Sequence, residues 1–423
     1  MGDVIVQLIM LPLAIMCVVI SIRFSERWIN PVSIVFVGFF LPLVAATFRL
    51  SDLQARSWLP DTYLALLLIF GSWLFLPTLI IVAKGKVGNC LEVSDKLRTG
   101  HFAYVSRVFA LIVVAAYFIS NYIQAGTLLP ILFPEIAYRL HTDFPPVLRL
   151  FARCIPAAVG ISYVAFAFHR KKIDLLIIVI AVITPITRLS RIDVMLSAVV
   201  LVIVFSALPL FKMNAKRLML LLATVSVVAI GVVELGNQRT NRFGLYKVEY
   251  GQAIKWNADI AGPAGVFPVL YGYFPLSFEN FDSFIAHAGE RRGDGLSSFD
   301  WFFTGIVKLN RLATSDNGSY GSFIPVSSAA NVPTALLPFF NDFGLLGMVF
   351  PAALYMVVLV WFFYKSARDV VWLLLFGVFS AAFSLASFQA LVAAPIIFHQ
   401  LLFISVVFLI ARYFGGRGLS NSS

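Results

Sequence analysis

Long apolar runs recur along almost the whole chain, separated by short polar segments. A helix needs roughly 20 apolar residues to cross the hydrocarbon core of a bilayer, and runs near that length occur about eleven times. We therefore predict an all-α integral membrane protein, a polytopic bundle of about eleven transmembrane helices. The predicted spans are residues 4–22, 31–48, 63–83, 102–120, 151–168, 173–187, 194–211, 218–235, 343–363, 370–388 and 391–411.

One interval breaks this rhythm, because residues 236–342 separate the eighth span from the ninth. A segment of that length without structure is unusual in a compact protein, so we expect it to be functional. Within it, residues 296–313 place Phe299, Phe302 and Phe303 near one helical face, which is typical of an amphipathic helix on a membrane surface. We expect spans one to eight in residues 1–235, a large loop with amphipathic helices in 236–342, and spans nine to eleven with a tail in 343–423.

The basic residues predict the orientation, because Lys and Arg concentrate in short loops that stay in the cytoplasm. Because successive spans cross the membrane in opposite directions, one set of loops lies on the same side as the C-terminus. These loops and the C-terminal tail hold 16 basic and 4 acidic residues. The opposite side holds 15 basic and 16 acidic residues. We therefore predict a cytoplasmic C-terminus, with the N-terminus and the large loop on the outer face. Arg107 and Asp174 lie within or beside predicted spans, and their charges cancel.

The composition and the missing motifs narrow the classes of partner and cofactor that the chain could use. The chain is 60% hydrophobic and 13% charged, and its net charge of +11 is accounted for by the loop bias, so we expect no nucleic-acid partner. Cys17, Cys90 and Cys154 form neither a disulfide framework nor a metal-ligand pattern. Zinc-protease and P-loop motifs do not occur, so we predict no metal and no cofactor.

Three groups of arginines lie on the predicted outer face and could bind phosphate, because guanidinium groups make bidentate contacts with phosphate oxygens. For each group a plainer alternative stays open: arginines touching lipid headgroups for the first two, and an ordinary solvated turn for the third. Because span six is short, the turn that carries the first group could instead line a water-filled vestibule. The groups are Arg188 and Arg191, Arg239 and Arg242, and Arg291 and Arg292.

Four carboxylates could assist chemistry on the same face, either as a base or as a hydrogen-bond acceptor. The sequence does not rank them. They are Asp193, Glu234, Asp300 and Asp342. We interpret His399, in span eleven, as a core or cavity histidine.

The large loop closes with the segment NVPTALLPFFNDFGLLG. It resembles the segment that precedes a late transmembrane helix in bacterial O-antigen polymerases, the oligosaccharide repeat-unit polymerases. The Ser190–Arg191 pair, opening an apolar helix, is similar to that family's Ser-Arg element. The positions that match the late motif are Asn331, Pro338, Phe340, Asp342, Phe343, Gly344 and Gly347.

The resemblance implies a metal-independent glycosyltransferase of the bacterial inner membrane, with a fold like that of GT-C-type glycosyltransferases. Such an enzyme joins oligosaccharide repeat units carried on undecaprenyl diphosphate at the periplasmic face, making O-antigen or a related surface polysaccharide. The lipid-linked glycan supplies its own leaving group, so no nucleotide cofactor is needed. The implied partners are this substrate, the lipid bilayer and a chain-length regulator protein.

Three other functions stay open. One is the O-antigen ligase, which transfers finished glycan to the lipid A core and also has many spans and a large outer loop. Another is a flippase or other transporter of lipid-linked oligosaccharides, although transporters usually place their binding residues near mid-membrane. The third is a non-catalytic assembly protein.

Overall fold

A computed structural model describes most of the predicted spans but only parts of the large loop. Predicted span eight lies outside the described residues except for Gly231, and so do residues 304–313 of the proposed amphipathic segment. The described residues are 2–54, 56–87, 100–133, 145–188, 190–208, 231, 254–257, 266–287, 295–303, 325–327, 334–389 and 391–418.

Regular secondary structure in these ranges is helical, apart from an isolated β-bridge between Ser51 and Trp256. Short 3-10 turns occupy Asp52–Gln54, Pro130–Leu132, Thr184–Arg188 and Leu391–Ala393. The helices are α1 (Gly2–Ser25), α2 (Pro31–Ala46), α3 (Pro60–Lys84), α4 (Gly100–Ala125), α5 (Pro146–Ala152), α6 (Ile155–His169), α7 (Lys172–Ile183), α8 (Arg191–Ala207), α9 (Val266–Tyr273), α10 (Ser277–His287), α11 (Asp300–Phe303), α12 (Leu336–Gly347), α13 (Val349–Lys365), α14 (Val370–Phe383) and α15 (Pro395–Gly418).

Four described helices are long and apolar enough to cross a membrane, namely α1, α3, α4 and α15. The pair α12 and α13 adds a fifth if it is counted as one broken span. Shorter apolar helices, α2, α6 and α14, lie where three further spans are expected. The all-helical class is therefore confirmed in the described residues, which include helices long and apolar enough to cross a membrane, whereas about eleven spans stays a prediction.

Three helices widen locally into π-turns, and each π-turn is followed directly by a Leu-Pro pair. The π-turns are Val6–Met10, Phe36–Phe40 and Gly71–Phe75, and the prolines are Pro12, Pro42 and Pro77. Proline has no N–H to donate, and its ring clashes with the carbonyl one turn earlier. Insertion of one extra residue into the turn relieves that clash, so these helices continue through their prolines.

The chain divides into two compact units that cut across the three regions expected from the sequence. Unit one comprises Met1–Val87, Val248–Trp361 and Ala382–Ile397. Unit two comprises Gly88–Lys247, Phe362–Ala381 and Phe398–Ser423.

In unit one, α1, α2 and α3 run antiparallel, as alternation of spans requires. At one end, Asp3 accepts hydrogen bonds from Arg49 Nε at 2.7 Å and from the Tyr63 hydroxyl at 2.6 Å. At the opposite end, Lys86 pairs with Glu26 at 2.5 Å. The segments predicted to share a face therefore meet in the structure, while the compartment that each face contacts stays a prediction.

The core of unit one is aromatic. Trp73 is fully buried, contacts Phe39 and Phe383 edge-on, and donates from Nε1 to the Ala352 carbonyl at 3.1 Å. Phe278 of α10 also packs against Phe39, with ring centroids 5.1 Å apart. The described loop helix α10 is thus part of the core rather than a surface appendage.

The ninth predicted span begins differently from the expectation of one continuous helix over 343–363. Helix α12 ends at Gly347, α13 begins at Val349, and the two helices are bent by 117°. The backbone at Gly344 has φ +66° and ψ −169°, a conformation open essentially only to glycine. The apolar run is therefore continuous in sequence but broken in structure.

Unit two is organised around α6, which is buried along most of its length. Its small residues allow close approach: a Cβ added at Gly160 would lie 2.8 Å from Leu374 Cδ2 and 2.9 Å from Val200 Cγ1. Arg107 and Asp174 form a bidentate ion pair, with Nε–Oδ1 and Nη2–Oδ2 distances of 2.6 and 2.9 Å. The two charges that cancel in the sequence are therefore direct partners.

Candidate functional site

In unit two, a polar cluster forms where α7 gives way to α8. Helix α7 ends before Pro185, and a 3-10 turn carries the chain to Arg188. The Ser190 N–H donates to the Pro185 carbonyl at 3.0 Å, which closes the turn. The Ser190 hydroxyl then donates to Asp193 Oδ2 at 2.7 Å, so the first turn of α8 fixes this carboxylate.

Helix α4 holds Arg188 in place. Arg188 Nη2 donates to Gln124 Oε1 of this helix at 2.7 Å, and Arg188 Nη1 approaches Ser120 Oγ at 3.4 Å. Asn121, between them, donates to Thr187 Oγ1 at 3.2 Å. The Arg188 turn therefore lies alongside the last turns of α4 rather than beyond its end.

Two positive charges act on the single carboxylate of Asp193, those of Arg188 and Arg153. Arg153 also acts on His399 of α15, which brings a fourth helix to the cluster. Sequence reasoning missed Arg153, because it falls at the edge of predicted span five, where a charge normally snorkels to the interface. Arg191 is the first residue of α8 and is half-buried.

In unit one, the O-antigen-polymerase-like motif forms α12, and it binds the loop segment 295–303. Asp342 is buried and accepts the Ser298 N–H through Oδ2 at 2.5 Å. The Ser298 hydroxyl donates to the Pro338 carbonyl at 3.1 Å. Asn341 Nδ2 approaches Asp342 Oδ1 and Ser297 Oγ, at 3.4 Å each. Neutral donors thus surround both oxygens of Asp342.

Asp300 lies close to the same helix pair. The negative charges of Asp300 and Asp342 both act on the Tyr355 phenol of α13. That phenol accepts from Trp301 Nε1 at 2.8 Å and donates to the Ser298 carbonyl at 2.6 Å. The structure therefore brings two of the four candidate carboxylates together.

The two motif glycines have separate physical roles. Gly344 supplies the positive φ that breaks the helix. Gly347 has an ordinary conformation, but a Cβ there would lie 2.8 Å from the Phe343 Cβ. The kink at Gly344 therefore lies within the last turn of α12, and Gly347 avoids a clash with Phe343 beside the same kink.

Several predicted site residues lie outside the described residues, so their placement is not part of the site described above. The arginine cluster belongs to unit two and the motif to unit one, and each is complete enough to be described by itself. The residues outside are Glu234, Arg239, Arg242, Arg291, Arg292 and Asn331.

Sequence reasoning also missed a pair of buried acids on α10, Glu279 and Asp282. Burial raises the pKa of Glu279 to about 7, and the nearby Asp282 charge adds to the rise. Hydrogen bonds from Gln54 and Trp58 and the charge of Arg49 act in the opposite direction and lower this pKa. Acids spaced by three residues normally indicate a solvated helix face, so no local signal distinguished them. Within the described ranges, no three His, Cys, Asp or Glu side chains group closely enough to hold a metal ion.

In comparisons with known proteins, no family model, no curated protein and no solved structure matches this chain. The resemblance to O-antigen polymerases therefore rests on the motif residues themselves. What that resemblance implies about function is accordingly a proposal, and the clusters described above are the structural grounds for weighing it.

Proposed function

We propose that this chain is a glycosyltransferase that polymerises undecaprenyl-diphosphate-linked oligosaccharide repeat units at the periplasmic face of the bacterial inner membrane. The product is O-antigen or a related surface polysaccharide. Two features support the proposal: the motif that builds α12, and the arginine cluster of unit two.

The observation that carries the proposal is the grouping of arginines around Asp193. Arg188 and Arg153 act on this one carboxylate, and Arg191 begins the same helix two residues earlier. A ligand for such a cluster at the end of apolar helices needs a negative charge for the guanidinium groups and an apolar part for the bilayer. A diphosphate whose lipid tail lies in the bilayer meets both requirements, because its charge faces the guanidinium groups while its chain stays in hydrocarbon.

The chemistry then follows from what the cluster supplies. A hydroxyl oxygen of one repeat unit attacks the anomeric carbon of the growing chain and forms the new glycosidic bond. The bond from that carbon to the diphosphate oxygen breaks, and the diphosphate leaves with the electron pair. Guanidinium groups stabilise the charge that develops on the leaving group. The hydroxyl proton passes to a carboxylate, for which Asp193 is the candidate beside the arginines.

The test uses a strain that lacks this gene and compares its surface polysaccharide with that of strains complemented at matched membrane abundance. The complementing variants are Arg153→Ala, Arg188→Ala and Arg191→Ala. The matched control is Arg368→Ala, an exposed arginine in a predicted cytoplasmic loop. We expect a ladder of long chains from the native protein and the control, and single repeat units from the three site variants.

Other results assign the chain differently. If the null strain accumulates polymer on undecaprenyl diphosphate, the protein is a ligase. If single repeat units accumulate on the cytoplasmic side of the membrane, it is a flippase. An unchanged ladder and unchanged capsule would remove the glycan function altogether.

A further inference from the structure

Helix α10 carries two acids whose role is independent of the arginine cluster. Glu279 and Asp282 lie one turn apart, and their exposed fractions are 4% and 1%. Both face the segment that links α2 to α3, residues 47–59. Burying two carboxylates on one helix face is costly unless each is well paired, so their partners decide how firmly α10 docks.

The partners of the two acids differ in kind. Asp282 accepts the Leu59 N–H at 2.7 Å and the Thr62 hydroxyl at 2.6 Å, and Arg56 approaches it at 3.4 Å. The segment that links α2 to α3 is called the docking segment below. Asp282 therefore has backbone, hydroxyl and cationic donors on the docking segment and on α3.

Glu279 accepts from two neutral donors, Gln54 Nε2 at 3.0 Å and Trp58 Nε1, and both reach the same oxygen, Oε1. Gln54 is fixed in turn by the Tyr271 hydroxyl of α9, which donates to Gln54 Oε1. These contacts suit a neutral carboxyl as well as an ionised one, because each donor needs only an acceptor oxygen.

The charged and titratable groups that face Glu279 come from three elements. Asp282 on its own helix repels the ionised form, and Arg49 on the docking segment attracts it. Arg49 Nε also pairs with Asp3 Oδ2 at 2.7 Å, so the charge of Arg49 acts on both Asp3 and Glu279. Tyr271 on α9 is neutral near pH 7, because burial raises its pKa further above the ordinary value.

The opposite side of α10 contacts the motif helix. Phe281 and Phe284 both pack edge-on against Phe340 of α12, with centroids 5.9 and 6.1 Å apart. The Ser277 hydroxyl donates to the Ser387 carbonyl at the start of α10. Helix α10 therefore contacts the α2–α3 segment on one side and the helix that carries Asp342 on the other.

We propose that Glu279 makes the docking of α10 onto the α2–α3 segment pH-dependent: the helix is held when this carboxyl is protonated and loosens when it ionises. The protein thereby senses the pH on that side of the membrane and transmits it to α12. This inference goes beyond the proposed function and does not depend on it.

The sign follows from linkage. The pKa of Glu279 rises from an ordinary 4.5 to about 7 in the docked state. Docking is then strongest below pH 4.5, weakens as the pH rises through this interval, and levels off above pH 7. One carboxyl with these two values changes the docking equilibrium by roughly 30-fold between pH 5.5 and pH 8.

The test is deuterium exchange of the full chain in lipid nanodiscs at pH 5.5 and pH 8, corrected for the intrinsic pH dependence of amide exchange. In the native protein we expect protection of residues 277–287 to fall on the order of 30-fold at the higher pH. Glu279→Gln keeps the acceptor oxygen and removes the ionisation, so its protection should be the same at both pH values.

Two further variants make the result specific. Asp282→Asn is the matched acid-to-amide control at the same interface, and it should keep the pH dependence. Trp58→Phe removes a hydrogen bond that lowers the pKa of Glu279, so the transition should move to higher pH. The proposal is overturned if native protection does not change with pH, or if Glu279→Gln retains the change.

Discussion

The carboxylate of Asp342 accepts the backbone N–H of Ser298, with an N–Oδ2 distance of 2.5 Å. The same serine donates its hydroxyl to the Pro338 carbonyl at 3.1 Å, and its own carbonyl accepts from the Tyr355 hydroxyl at 2.6 Å. One residue of the large loop is therefore held by α12 and α13 at once. These contacts fit a positioning role for Asp342, the aspartate of the motif, on segment 295–303.

If the proposed polymerising activity is correct, we expect Asp342→Asn to retain most of it, because the amide oxygen can still accept the Ser298 N–H. Asp342→Ala should leave that buried N–H unpaired and destabilise the protein by about 1–3 kcal/mol. The measurement pairs the polysaccharide ladder with thermal unfolding of the purified protein.

The competing role for Asp342 is that of general base. A base cannot be replaced by an amide, so both variants would then lose activity alike, by roughly 10²–10⁴-fold, although Asp342→Asn would remain as stable as the native protein. The comparison of the two substitutions therefore separates positioning from proton transfer.

Gly344 should tolerate no side chain. Its φ of +66° with ψ near 180° is strained for every L-residue, so Gly344→Ala should cost about 1–3 kcal/mol. Gly71→Ala is the matched control, because Gly71 has helical angles and a Cβ there meets nothing within 4 Å. Scanning fluorimetry should show a lower Tm for the first variant and an unchanged or higher Tm for the control. Equal Tm values would mean that the kink at Gly344 does not need glycine.

The sequence predicted those features that depend on local patterning. Apolar runs located the helices. The contact between Arg107 and Asp174 was not predicted, because the sequence shows only that two opposite charges lie within or beside apolar runs. The bend at Gly344 was missed, because the apolar pattern passes through it unchanged and only the backbone angle reveals the break. Glu279 was missed because its partners, Gln54 and Trp58, lie far away in the chain.

Substitution of either Arg107 or Asp174 alone should lower the free energy of unfolding, because the remaining charge loses its partner. Asp174 is 1% exposed, so Asp174→Ala leaves Arg107 without its bidentate acceptor and should cost roughly 3–5 kcal/mol. The double variant Arg107→Ala with Asp174→Ala should recover much of that loss, because no unpaired charge remains. A double-mutant cycle on unfolding free energies measures the coupling. Additive losses would show that the two charges act independently.

The two ends of unit one should face opposite sides of the membrane. Ser57 is exposed and lies in the sequence between Arg49 and Tyr63, both of which contact Asp3 at one end of the unit. Lys86 pairs with Glu26 at the other end. In a background with Cys90→Ser, we expect Ser57→Cys to react with a membrane-impermeant maleimide in cells whose outer membrane is permeabilised. Lys86→Cys should react only after the inner membrane is opened.

The reverse labelling pattern would invert the orientation and place the Ser57 end in the cytoplasm. Lipid-linked repeat units are joined at the periplasmic face in the proposed reaction, and the sequence-based topology predicts that face for both the loop with Ser57 and the loop with Arg188. That pattern would therefore contradict the proposed function without any measurement of activity. The proposed pH dependence of α10 would survive it, because the docking contacts of Glu279 do not depend on which compartment they face.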